Sequence, residues 1–251
     1  MRLIAIRSRK MKLFTDDMQT GTARNFSFSA VRPEKLGATE YTLVSLVMDK
    51  TGSVYGFEND LLKVKRSVVD ACRRAPRAEY LMFRSVEFND KVDEIHGFVE
   101  LINIDPSKYR APNCTGSTAL FDATYSAVAV TNEYARTLAD NDFNVNGIVI
   151  VVTDGDDNVS IQTAKAIADE IRRGVQNEWL ESLNVILVGV NANCCRKQLD
   201  AFYRKGGLAQ YVDVGDATPH KLARLADFVS RSIASQSQSL GTGGPSQALT
   251  F

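Results

Sequence analysis

Three uninterrupted apolar stretches constrain this chain more than anything else in it. They are residues 42–48 (TLVSLVM), 146–153 (NGIVIVVT) and 183–190 (LNVILVGV). Each is rich in β-branched residues and lacks the in-out alternation of a half-exposed strand. That pattern belongs to strands buried on both faces. Between them the period changes. Phe57, Leu61, Val64, Val68 and Cys72 recur at helical spacing, as do Leu120, Ala123, Ala127, Val130, Tyr134 and Leu138. Ala164, Ile167, Ala168, Ile171 and Val175 repeat the pattern, with Ser160 as the expected cap. Thr218 followed by Pro219 opens a last helix carrying Leu222, Leu225, Val229 and Ile233. Buried strands alternating with amphipathic helices predict an α/β fold: a doubly wound, mostly parallel sheet with helices on both faces. Residues 80–88 and 92–99, joined by the turn Asp90-Lys91, predict a hairpin and hence one antiparallel edge strand.

Domain organisation follows from where the periodicity starts and stops. Residues 1–38 read as an N-terminal extension, with a short extended segment at Phe26, Phe28 and Ala30 that ends at Pro33. Residues 39–236 read as one domain. Residues 237–251 are rich in Ser, Gln and Gly and read as a flexible tail. Its last residues, Leu249-Thr250-Phe251, leave open a second reading as a docking peptide.

Charge and cysteine usage remove several functions. Lys+Arg and Asp+Glu both number 30, so no bulk field favours nucleic acid or an anionic membrane. No apolar run approaches the ~18 residues of a membrane span. The start, MRLIAIRSRKMKLF, is broken by Arg7, Arg9 and Lys10. It lacks the roughly 7–15-residue apolar core of a secretory signal, and a cytoplasmic protein is expected. Cys194 and Cys195 are adjacent, a spacing unlike that of a metal finger. Two distant histidines, His96 and His220, argue against zinc.

Chemistry-bearing residues gather where strands are expected to end. DKTGS (49–53) follows the first buried strand, TDGDDN (153–158) ends the second, and TGST (115–118) precedes the long helix. In such sheets ligands bind at the carboxyl ends of strands. Asp49, Thr51 and Ser53 alternate, so one loop can turn all three toward one point. Thr118 and Asp154 complete a set made entirely of oxygen donors. That set suits Mg²⁺, Mn²⁺ or Ca²⁺ rather than zinc or copper. Taken singly, each residue has a plainer role: Asp49 as a turn former, Thr118 as a helix cap. Asp156, Asp157 and Asn158 read as turn and cap residues.

Two families share parts of this pattern. DKTGS is similar to the phosphorylation loop of P-type pumps, and TDGDDN loosely to the acidic motif of haloacid-dehalogenase-like phosphatases. That resemblance implies a Mg²⁺-dependent phosphatase with Asp49 as nucleophile. Thr51 stands where those phosphatases carry a second Asp, and TGSTALFDA is left without a role. All three motifs, in order over residues 40–235, resemble the von Willebrand factor A domain and its metal-ion-dependent adhesion site, on a Rossmann-like fold. The resemblance implies Asp49, Thr51, Ser53, Thr118 and Asp154 around one cation, with hydroxyls as direct ligands and aspartates often acting through water. Thr51 replaces the family's usual Ser. It further implies a non-enzymatic protein-binding module, of intracellular bacterial or phage type, that accepts an acidic residue of a partner. A MoxR-type AAA+ ATPase or a stress-response assembly is the partner class implied, with no nucleic acid or membrane.

Overall fold

A computed structural model describes residues 16–243 and 249–251. The first fifteen residues of the N-terminal extension lie outside the described residues. Eight strands form one sheet: β1 Met18–Ala23, β2 Phe26–Val31, β3 Glu40–Asp49, β4 Leu81–Phe88, β5 Val92–Glu100, β6 Asn144–Thr153, β7 Leu183–Val190 and β8 Gln210–Gly215. Among the described residues five α-helices accompany them: α1 Glu58–Arg73, α2 Leu120–Ala139, α3 Ala164–Gln176, α4 Arg196–Lys205 and α5 Pro219–Thr242. Strand order is β1-β2-β5-β4-β3-β6-β7-β8. β3 pairs in parallel with β4 and β6, and β6, β7 and β8 continue in parallel. α1 packs with α5 over one face, and α2 with α3 over the other. The three apolar stretches are the central strands β3, β6 and β7, where Leu43, Val44, Val149, Ile150, Leu187 and Val188 are fully buried. The expected doubly wound architecture is therefore the one observed.

The antiparallel strand β5 pairs with β4, as the hairpin predicts, but it is not the edge. Residues 18–31, placed by sequence in an extension outside the domain, form an antiparallel hairpin that joins the sheet beyond β5. Gly97 makes this possible: a Cβ there would stand 1.7 Å from the Ser29 carbonyl oxygen. Any larger residue would hold β2 away from β5. The Tyr134 hydroxyl then donates to the Val31 carbonyl at 2.8 Å and ties the hairpin to α2.

Three other expectations change. α3 is capped by Thr163, whose hydroxyl accepts from the Ala166 N–H, and not by Ser160. Val175 is exposed while its neighbour Gly174 is buried, because α3 presses there on Asn132 of α2. The tail does not begin at 237. α5 continues to Thr242 with Ser237 and Leu240 buried. The Gln236 amide bonds to the Gly147 carbonyl at 3.1 Å, and the Arg77 guanidinium donates to the Ser237 hydroxyl at 3.1 Å. Polar residues that look like a linker are here bonded to Gly147 of β6 and to Arg77 beyond α1. Farther on, the Phe251 ring packs edge-on against Phe228 at 5.8 Å, and Gln210 donates to the Leu249 carbonyl at 2.8 Å.

Candidate metal-binding site

Parallel pairing brings the site together. Met48 of β3 lies beside Val152 of β6, so DKTGS and TDGDDN leave the sheet side by side at its carboxyl edge. Asp49 is 1 % exposed, and both its oxygens are engaged. One accepts from the Thr51 N–H at 2.7 Å, the other from the Thr153 hydroxyl at 2.6 Å. The Thr51 and Ser53 hydroxyls are 3.0 Å apart, and the Ser53 hydroxyl donates to the Asp154 carboxylate at 2.8 Å. Four of the five expected residues thus form one chain of contacts between two loops.

The second loop is bound to both of the others. Thr115 N–H donates to the Lys50 carbonyl at 2.9 Å, and Gly52 N–H to the Gly116 carbonyl at 3.3 Å. Gly116 adopts φ 85°, and a Cβ there would stand 2.7 Å from the Asp90 carboxylate. The left-handed φ is what calls for glycine here, since the exposed Asp90 side chain is free to move aside. Thr118 is buried, with its N–H donating to the Asn158 side chain at 2.9 Å. Asn158 N–H returns a bond to the Thr118 carbonyl at 3.0 Å. A Cβ on Gly155 would lie 3.7 Å from the Thr118 hydroxyl, which sets that hydroxyl against the third loop beside Asp154.

Several residues that the sequence marks as turn or cap residues, or does not mark at all, hold this arrangement. Asn158 pins Thr118. Asp157 accepts from the Phe121 N–H at 3.1 Å and Ser160 from the Asp122 N–H at 3.0 Å, so the third loop caps α2. Asn89, at the end of β4, accepts from the Ala119 N–H and donates to the Thr115 carbonyl, both at 2.8 Å. The sequence signal for these roles was the cluster of Asp, Asn and Ser itself. Its targets lie on other elements. The buried Cys195 thiol approaches the Asp154 carbonyl at 3.5 Å and lies 3.5 Å from the Cys194 sulfur. Burial pushes the Cys195 thiol up to about 12, which makes it a poor nucleophile.

Among the described residues no basic side chain forms an ion pair with either carboxylate of the site. Burial raises the Asp49 carboxyl above its ordinary range, against hydrogen bonds from Thr153 and Thr51. Burial, and then the charge of Asp49, push Asp154 up to about 6. Lys50 is engaged with Asp93 at 2.5 Å and Lys65 with Glu87 at 2.6 Å. Two carboxylates and three hydroxyls are therefore gathered on adjoining loops, and among the described residues neither carboxylate has an ion-pair partner. This donor set fits a hard divalent cation, which takes oxygen ligands and offsets the repulsion of paired carboxylates. Among the described residues no group of three or more His, Cys, Asp or Glu could hold a metal. The cradle differs from such groups in drawing most of its donors from hydroxyls.

A sheet of this topology, with three loops converging at its carboxyl edge, has the von Willebrand factor A-like fold, and solved structures share it. No protein-family model and no curated protein sequence matches the chain. Proximal thread matrix protein 1 from the mussel byssus superposes with a TM-score of 0.52 at 16 % identity, over 77 % of this chain and 46 % of that one. A second structure of that protein, described as having a zinc-occupied MIDAS motif, aligns with a TM-score of 0.52 at 18 % identity, over 79 % of this chain and 47 % of that one. The PilB minor pilin of Streptococcus sanguinis aligns with a TM-score of 0.57 at 15 % identity, over 86 % of this chain and 66 % of that one. The chain spans about half the length of the byssus protein. At these identities the likeness is one of fold.

Proposed function

We propose that this chain is a metal-dependent protein-binding module and not an enzyme. Asp49, Thr51, Ser53, Thr118 and Asp154 would hold one divalent cation, Mg²⁺ first and Mn²⁺ or Ca²⁺ as alternatives. Bound there, the cation would supply an open coordination position for an acidic side chain of a partner. The observation that carries this reading is the 2.8 Å bond between Ser53 and Asp154, residues from two different loops. The zinc-occupied motif of the byssus protein supports it by analogy of fold. The residues of this chain do the positioning: Thr153 and Thr51 orient Asp49, and Asn158 orients Thr118. A partner ATPase of the MoxR type and a cytoplasmic setting are finer readings that rest on the sequence resemblance. Among the described residues no helix is long and apolar enough to cross a membrane.

The phosphatase alternative is disfavoured by the setting of Asp49. A nucleophilic carboxylate needs an oxygen free to reach phosphorus. Asp49 is buried and has both oxygens in hydrogen bonds.

The test is a thermal shift series with Mg²⁺, Mn²⁺ and Ca²⁺ on wild type, Asp49→Ala and Ser53→Ala. Ser53 is exposed, so its variant keeps the fold. Wild type should gain about 3 kcal/mol at a hundredfold excess of cation over Kd. The variants should lose most of that gain. An Asp49→Ala protein that responds like wild type sinks the site, and Asp49-dependent turnover of an aryl phosphate sinks the non-enzymatic reading.

A further inference from the structure

The loops that carry the metal-site residues also carry most of the exposed large apolar side chains. Among the described residues five such side chains are exposed: Tyr55, Ile102, Val159, Ile161 and Val175. Tyr55 follows Ser53 by two positions, and Val159 and Ile161 follow the Asn158 that pins Thr118. Single exposed apolar residues are ordinary on a protein surface. Three of the five lie within seven residues of Ser53 or Asp154, on the two loops that those residues join.

These side chains are presented rather than loosely exposed. Val54 is fully buried while Tyr55 is 79 % exposed. The backbone on either side is held, with Tyr55 N–H on the Gly52 carbonyl at 3.3 Å and Phe57 N–H on the Val54 carbonyl at 3.2 Å. Ile161 is 89 % exposed, yet its N–H donates to the Asp122 carboxylate at 3.1 Å. Ser160 beside it bonds to Asp157 at 2.5 Å, and Asn158 is fixed to Thr118. Backbone bonds on both loops thus fix where Tyr55 and Ile161 leave the chain.

We propose that Tyr55 on the first loop and Val159 and Ile161 on the third form an apolar rim that selects the partner sequence. The occupant is a protein segment with an acidic residue flanked by aliphatic or aromatic side chains. This rests on the metal-dependent reading above, which supplies the acidic residue; the rim supplies the flanks. The complementarity has two parts. A carboxylate from outside suits a centre that a bound cation has made positive, and apolar neighbours bury surface that this chain leaves in water. A free carboxylic acid would satisfy the centre but leave the rim uncovered.

The experiment uses the full chain and a phage-displayed heptapeptide library with Glu fixed at the centre, bound in Mn²⁺ and eluted with EDTA. Positions beside the Glu should become enriched in Leu, Ile, Phe and Tyr. Tyr55→Ser and Ile161→Ser should each weaken a selected peptide about tenfold while leaving the Mn²⁺ thermal shift unchanged. Enrichment of polar flanks overturns the rim, as does unaltered binding by both variants. So does a protein that responds to Mn²⁺ yet selects no peptide. Loss of the Mn²⁺ response in wild type is a different failure, that of the metal site itself.

Discussion

The central strands and the antiparallel flank of this sheet are built on different principles. In β3, β6 and β7 the interior is hydrocarbon: Leu46, Val47, Ile150, Val151, Leu187 and Val188 are at most 1 % exposed. In β4, β5 and the hairpin the interior is inlaid with charge. Arg84 is 1 % exposed and donates to Glu94 at 2.8 Å. The other Glu94 oxygen accepts from the Ser29 N–H at 3.0 Å and the Ser29 hydroxyl at 2.7 Å. Buried His96 bonds to the Gly97 carbonyl at 2.9 Å and to the Tyr109 hydroxyl at 2.7 Å. A carbonyl only accepts, so Nδ1 carries the proton and Nε2 accepts from Tyr109. Hydrocarbon burial is strong and non-directional, and it aligns the parallel strands through their summed area. The ionic inlay is directional. It fixes one register of β2 against β5, where the ladder itself contributes the single pair Ala30 and Phe98.

If that contrast is right, the flank is the more fragile half. Glu94→Ala leaves Arg84 buried and unpaired, and should cost about 3–5 kcal/mol in urea unfolding. A loss below about 1 kcal/mol would mean that water reaches Arg84 and that the inlay is not a buried pair.

The same flank should respond to pH. Burial, aided by the positive charges of Lys65 and Arg84 and opposed by the Gly97 bond and Glu94, lowers His96 to about 4 from 6.5. As pH falls below about 6.5 the unfolded chain takes up this proton first. Stability therefore drops by roughly 1.4 kcal/mol per pH unit down to the folded value, about 3 kcal/mol in all. The readout is urea unfolding at pH 7, 5.5 and 4.5, compared with His96→Phe so that shifted carboxylates cancel. Equal pH slopes in the two proteins would refute the assignment.

In the central strands a small change should do little. Ile150→Val removes one methylene and should cost about 1 kcal/mol with no new pH dependence. A loss as large as that of Glu94→Ala would erase the distinction between the two halves.

These halves also differ in how far the sequence alone reveals them. The apolar runs of β3, β6 and β7 announce buried strands because burial on both faces demands apolar residues at every position. Arg84 and Glu87 carry no such mark, since each is a buried charge held by a partner on another segment, Glu94 and Lys65. The hairpin shows the same dependence. Phe26, Phe28 and Ala30 alternate visibly, but their place in the sheet depends on Gly97, far along the chain. Ser160 satisfies a helix cap by composition, and only packing reveals that the helix is α2. Gln236 and Ser237 look like the start of a linker because they are polar, and they are buried because Asn146, Ser182 and Arg77 wait there as polar partners.

For the candidate site, residue chemistry and loop position were legible in the sequence: oxygen donors, at strand ends, in three motifs. These are local properties, set by side-chain type and by the period of the flanking segments. Which oxygens meet is not local. It was decided by the parallel register of β3 against β6, and by the bonds of Asn158 and Asn89 that hold Thr118 against Asp154's loop. Distance between atoms far apart in the chain is a product of packing, and packing is a property of the whole fold.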